Sequence, residues 1–208
     1  MLKKSILIFF FISIAILSNT TNAQENVNSG TGFYKDRSNV CIGYGFPYLT
    51  ASIAKVLTNN NNDNNISTIS IGPIYAKYEY AVTDHIGVGI NLAYASTTLY
   101  NSYQLIGSTF IEKVNQMTIS GLLRLNYHIL SHQKFDPYIG AGLGYRFVRN
   151  EYYSNEPFID ELILDYPFFP LGGDFTLGAR YFLTDNFGIY AEAGLAKSPV
   201  QIGLSLAF

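Results

Sequence analysis

The last nine residues, Val200 to Phe208, constrain the fold more than any other stretch of the chain. They read V-Q-I-G-L-S-L-A-F. Val200, Ile202, Leu204, Leu206 and Phe208 are large and apolar, whereas Gln201, Gly203, Ser205 and Ala207 are small or polar. Successive side chains of a strand point to opposite faces, so this is a strand with one greasy face and one lean face. The same pattern recurs upstream.

Taken in order, the alternation predicts a strand over about Asn39–Pro47, with Val40, Ile42, Tyr44 and Phe46 on its apolar face. A long connection follows, and its Asn59–Asn65 run reads as a solvated loop. Strand two covers about Ser67–Val82, with a bulge at Gly72-Pro73 because proline cannot donate to the ladder. Strand three runs over Ile86–Leu99, strand four over Asn115–Leu130 and strand five over Pro137–Arg149. Strand six covers Phe169–Leu183 and strand seven Phe187–Ala196, and Val200–Phe208 is the eighth. Thr83-Asp84-His85, the stretch around Ser131–Asp136, and Thr184-Asp185-Asn186 read as tight turns. About Tyr100–Val114 and Asn150–Phe168 read as long loops.

Eight alternating strands could form a soluble barrel or one that faces lipid. Charged residues are only 13% of the 208, against about a quarter in ordinary soluble domains. Beyond the amino terminus no apolar run approaches the roughly 18 residues of a membrane helix. A strand protein in lipid must close on itself, because lipid offers no partner to a free sheet edge. The lean faces carry Gly, Ala, Ser, Thr and Asn with about one charge per strand, too few for a watery exterior. Small residues suit the cramped interior of an eight-stranded barrel. The expectation is an all-β, eight-stranded antiparallel up-and-down transmembrane β-barrel with its apolar faces outward. Tyr44, Phe46, Tyr80, Tyr94, Tyr127, Tyr138 and Phe187 would form the interfacial girdles, with no Trp to share that role.

The amino terminus reads as a secretory signal peptide: Lys3 and Lys4, an apolar core Ser5–Leu17, and a small polar tail ending at Ala23. Residues 1–23 would be removed, residues 24–38 would be a flexible periplasmic leader, and residues 39–208 would be the barrel. Without Lys3 and Lys4 the chain keeps 11 basic against 15 acidic residues, a net charge of −4. No basic patch points to nucleic acid.

Inward parity gathers Lys77, Glu79, Arg124, Arg146, Asp174, Arg180 and Glu192 into a polar cluster in the lumen. Charges there are costly unless paired. Pairing Leu183 with Phe187 makes Arg180 and Glu192 diagonal neighbours on adjacent strands, which predicts an ion pair between them.

The signal peptide, the strand pattern and the aromatic end together resemble the outer-membrane β-barrel domain family. The size is similar to the OmpA transmembrane domain and the OmpX-like barrels. The resemblance implies that Ile202, Leu204, Leu206 and Phe208 form the signal read by the barrel-assembly machinery, and that both mature termini are periplasmic. It implies surroundings of outer-membrane lipid and lipopolysaccharide, and a structural, adhesive or recognition role through extracellular loops, with an extracellular or periplasmic protein partner. A narrow ion or small-solute channel and a lipid-modifying enzyme are the alternatives. Acyl transfer would need a His with Ser or Asp partners near the outer rim. His85, His128 and His132 instead fall beside the predicted periplasmic turns as ordinary rim residues, so neither an enzyme nor a cofactor is expected. For recognition, the third loop is the best candidate. Glu151, Glu156, Asp160, Glu161 and Asp165 alternate there with Tyr152, Tyr153, Phe158 and Leu162–Leu164. The plainer reading is a ribbon projecting from strands five and six.

Overall fold

A computed structural model describes residues 32–59, 66–105, 108–131, 133–155, 162–164 and 170–208. The barrel strands are β1 (Ser38–Phe46), β2 (Ile66–Ala81), β3 (Ile86–Leu105), β4 (Ser108–His128), β5 (Phe135–Ser154), β7 (Leu171–Phe182), β8 (Phe187–Leu195) and β9 (Val200–Ala207). A three-residue strand, β6 (Leu162–Leu164), and one helix, α1 (Leu49–Asn59), complete the elements. Each barrel strand pairs antiparallel with its sequence neighbour, and β1 pairs with β9 to close the cylinder. Closure leaves no free edge, as lipid demands. The strap Gly32–Arg37 and the end of β9 lie at the end with the tight turns; the longer connections lie at the other, hereafter the loop end.

Parity decides the faces as expected. In β9 the outward Ile202, Leu204 and Leu206 are exposed, while Gln201 and Ser205 are buried. The same division runs through β1 and β8. These three strands have nine, nine and eight residues, which at about 3.3 Å each and the usual barrel tilt match an apolar band about 25 Å tall. The bulge also falls where the proline requires it: the β2–β3 register shifts between Ile71 and Ile74. Gly72 has φ +87°, a conformation that glycine tolerates without penalty.

Glycines on the inward face leave room for large side chains. A Cβ on Gly178 would run into the Tyr138 ring, one on Gly140 into the Arg124 guanidinium, and one on Gly43 into Tyr190. The lean stripe is thus the bed on which the polar interior lies.

Five expectations are corrected. Tyr138 is not a girdle residue: it shares inward parity with Gly140 and Gly142, is 2% exposed, and pairs in register with Gly178. The other six girdle residues are exposed. The stretch 100–114 is not a loop, because β3 and β4 continue in register to Leu105↔Ser108 as a projecting ribbon. Strand five ends at Ser154 and not at Arg149, and β6 pairs with its Asn150–Tyr152, so the third connection begins as the ribbon that the plainer reading expected. The first connection contains α1, whose Ala51 packs with Tyr48 and Ala95; the repeat of Leu49, Ile53 and Val56 was its signal in the sequence. The Asn run beyond Asn59 lies outside the described residues.

The fifth correction concerns the leader. From Gly32 onward it is tied across the turn end. The Asp36 amide donates to Ala81 O at 2.9 Å, and Lys35 N donates to Asp84 Oδ1 at 2.9 Å. Arg37 is buried and donates to the carbonyls of Gly32 and Asp185. Phe33 is 4% exposed, with its ring stacked on His128 at a centroid separation of 3.4 Å. Residues 24–31 lie outside the described residues.

Candidate functional site

Two groups of charges meet in the barrel interior. In the first, Glu192 on β8 accepts from Lys77 Nζ at 2.7 Å, from Arg124 Nη2 at 3.0 Å and from the Tyr138 hydroxyl at 2.7 Å. Lys77 also donates to Gln201 Oε1 at 2.8 Å, between the rings of Tyr75 and Tyr190. Arg124 reaches Asp174 Oδ2 at 3.5 Å, and the same oxygen accepts from Asn91 Nδ2 at 2.8 Å.

The second group lies toward the turn end. Glu79 accepts from Arg180 through one oxygen and faces His128 Nε2 at 3.0 Å through the other. His128 Nδ1 stands 2.6 Å from Asp136 Oδ1, and Arg180 Nη1 lies 3.6 Å from Asp136 Oδ2. Asn126 joins the groups: its carbonyl accepts from Arg124 Nε at 2.9 Å, and its amide donates to Glu79. One polar chain therefore runs from Asn91 and Asp174 through Arg124, Asn126 and Glu79 to Asp136. Low local dielectric strengthens each such contact and raises the cost of leaving any group unpaired.

Six of the seven residues assigned to the lumen cluster, Lys77, Glu79, Arg124, Asp174, Arg180 and Glu192, are buried in this network. Arg146 is half-buried on β5 and lines the loop-end side of the interior. The register of β7 and β8 is as expected, with Arg180 opposite Tyr190 and Gly178 opposite Glu192. The expected Arg180–Glu192 pair does not form. Arg180 turns across the interior to Glu79 and Asp136, while Lys77 and Arg124 occupy Glu192. Strand adjacency gives reach along the wall, but a narrow closed barrel also brings opposite walls within reach.

Six further members of the network were not in that assignment: Asn91, Asn126, His128, Asp136, Tyr138 and Gln201. His128 is wholly buried rather than a rim residue. Its parity with Arg124 and Asn126 was the available signal, as was that of Asp136 with Tyr138. His132 lies outside the described residues.

Toward the loop end the interior opens into a cavity of about 930 Å³. Its lining includes Asn91, Ser120, Arg146, Asp174, Lys197 and the first residues of α1. Lys197 is held in the β8–β9 turn, where its carbonyl accepts from Leu49 N at 3.3 Å and the neighbouring Ser198 hydroxyl bonds the Tyr75 hydroxyl at 3.0 Å. Burial, with Arg146 nearby, lowers the Lys197 ammonium to about 8.

The sequence profile of the outer membrane protein beta-barrel domain matches residues 11–199. The chain belongs to the outer-membrane β-barrel family. Solved barrels of similar fold include the N-terminal β-barrel domain of Pseudomonas aeruginosa OprF, at 14% identity and a TM-score of 0.41, covering 84% of this chain and 99% of that one. Ail of Yersinia pestis has 13% identity and a TM-score of 0.42, over 83% and 95% of the two chains. OprG of Pseudomonas aeruginosa has 14% identity and a TM-score of 0.42, over 85% and 98%. No curated protein sequence matches the chain. Membership in an outer-membrane β-barrel family accounts for the apolar exterior and places the chain in the bacterial outer membrane.

Proposed function

We propose that this outer-membrane barrel is non-conducting and acts at the cell surface, in a structural, adhesive or recognition role through its loop end. The observation that carries this reading is the polar chain from Asn91 and Asp174 to Asp136. An ion moving through it would have to separate buried charge pairs, at several kcal/mol for each pair broken. In this reading the lumen is plugged, the turns and both mature termini are periplasmic, and the signal peptide leaves after Ala23. Lipid and lipopolysaccharide surround the belt, and the assembly machinery reads Ile202, Leu204, Leu206 and Phe208. The protein is not an enzyme. Its buried histidine is enclosed by Glu79, Asp136 and the Phe33 ring, with no Ser, Thr or Cys side chain hydrogen-bonded to it among the described residues.

Planar-bilayer recording of the refolded protein tests the central claim. No stable open pore is expected, and a steady large conductance overturns it. The intact mass of protein extracted from membranes should correspond to a chain starting at Gln24; one retaining Lys3 and Lys4 removes the signal-peptide reading.

A further inference from the structure

The loop-end cavity contains polar groups that the ionic network leaves unused. Lys197 Nζ is shielded from solvent, yet has no hydrogen-bond acceptor among the described residues. Arg146 lines the same space, and so do Leu49 and Thr50 from the first turn of α1, where the helix dipole is positive. This positive side has a negative counterpart. Asp174 and Asn91 are 8% and 2% exposed, and both line the cavity. Asp174 Oδ2 is engaged by Asn91 and Arg124, but Asp174 Oδ1 and Asn91 Oδ1 have no donor among the described residues. Buried polar atoms are normally satisfied, so acceptors and a cation left open around one cavity point to a ligand that brings the complementary groups.

We propose that this cavity binds a hydroxylated organic anion of one or two sugar rings, such as a sugar phosphate or sugar acid. Its anionic group meets Lys197 and Arg146, and its hydroxyls donate to Asp174 Oδ1 and Asn91 Oδ1. The volume lies within the ordinary range of small-molecule sites, about 300–1,000 Å³. Tyr48 and Tyr75 supply aromatic surface for the C–H faces of a sugar ring. The site lies on the loop-end side of the Glu192 group, so the ligand would be held in a vestibule and not passed onward. This deepens the surface-recognition reading and rests on it for the side from which the ligand arrives.

The test is titration calorimetry on the full-length mature chain, refolded in detergent micelles, with glucose 6-phosphate, galacturonate, glucose and inorganic phosphate as separate probes. Binding is expected for at least one of the two hydroxylated anions, at least tenfold tighter than for glucose or for inorganic phosphate. Lys197→Gln, in a turn, should keep the heat-modifiable gel mobility of the folded barrel and weaken that binding at least tenfold. Ser120→Phe, which fills the cavity without touching Lys197, should abolish it. The proposal is overturned if neither anion binds, if glucose or phosphate binds as tightly, or if both folded variants bind like the parent. Calorimetry in micelles does not depend on conductance, so a conducting barrel that binds would overturn only the non-conducting reading. A silent barrel that does not bind would overturn only this one.

Discussion

Arg180 and Glu79 stand 101 residues apart in the chain and meet as an ion pair across the barrel interior. Three strands, β1, β9 and β8, separate β2 from β7 around the wall, so the pair exists only because the sheet closes tightly. Glu79 also takes Asn126 and faces His128, and its loss strands three polar groups at once.

Glu79→Ala should therefore lower stability by about 3–5 kcal/mol, the usual cost of breaking a fully buried pair. Urea unfolding in micelles measures it. A loss below about 1 kcal/mol would match an exposed pair and mean that water reaches the site.

A double-mutant cycle separates the observed pairing from the one that strand adjacency suggests. Arg180 and Glu79 should couple by roughly 1–3 kcal/mol, as contacting residues do, while Arg180 and Glu192 should couple much less. The reverse ranking would reinstate the pairing of diagonal neighbours. Glu192→Ala frees Lys77, Arg124 and the Tyr138 hydroxyl, so it should give at most flickering current in a bilayer.

The strap at the turn end makes its own contribution. Phe33→Ala removes a buried ring stacked on His128 and should cost roughly 3 kcal/mol, as buried Phe truncations do. An unchanged urea midpoint would show that the strap does not seat on the barrel in solution.

Gly178→Ala places a methyl group where the Tyr138 ring now lies. The ring must tilt away from its bond to Glu192, so a loss of about 1–3 kcal/mol is expected. A neutral effect would show that the ring has spare room.

Lys197 carries a pH signature. Its folded value is about 8 against 10.5 for the ordinary ammonium, so between those pH values the unfolded chain holds a proton that the folded chain has lost. Stability from this group therefore rises as pH climbs through that window. The urea midpoint of the parent should gain on that of Lys197→Gln between pH 7.5 and pH 9.5. Parallel midpoints would mean that the ammonium is solvated.

The period-2 pattern by itself determined the barrel: strand count, the apolar exterior, the register at Thr184-Asp185-Asn186 and the bulge at Gly72-Pro73 all follow from side-chain alternation and proline chemistry. It also placed Lys77, Glu79, Arg124, Asp174, Arg180 and Glu192 on the inner face, since parity needs no knowledge of partners. Only the tertiary structure decided who pairs with whom. Arg180 and Glu79 are joined by curvature, and curvature leaves no mark in a local pattern. The seating of Phe33 on His128 and the folding of Lys197 over the loop-end cavity were hidden for the same reason. Each is a contact between segments distant in sequence, chosen by the space that the closed sheet leaves inside.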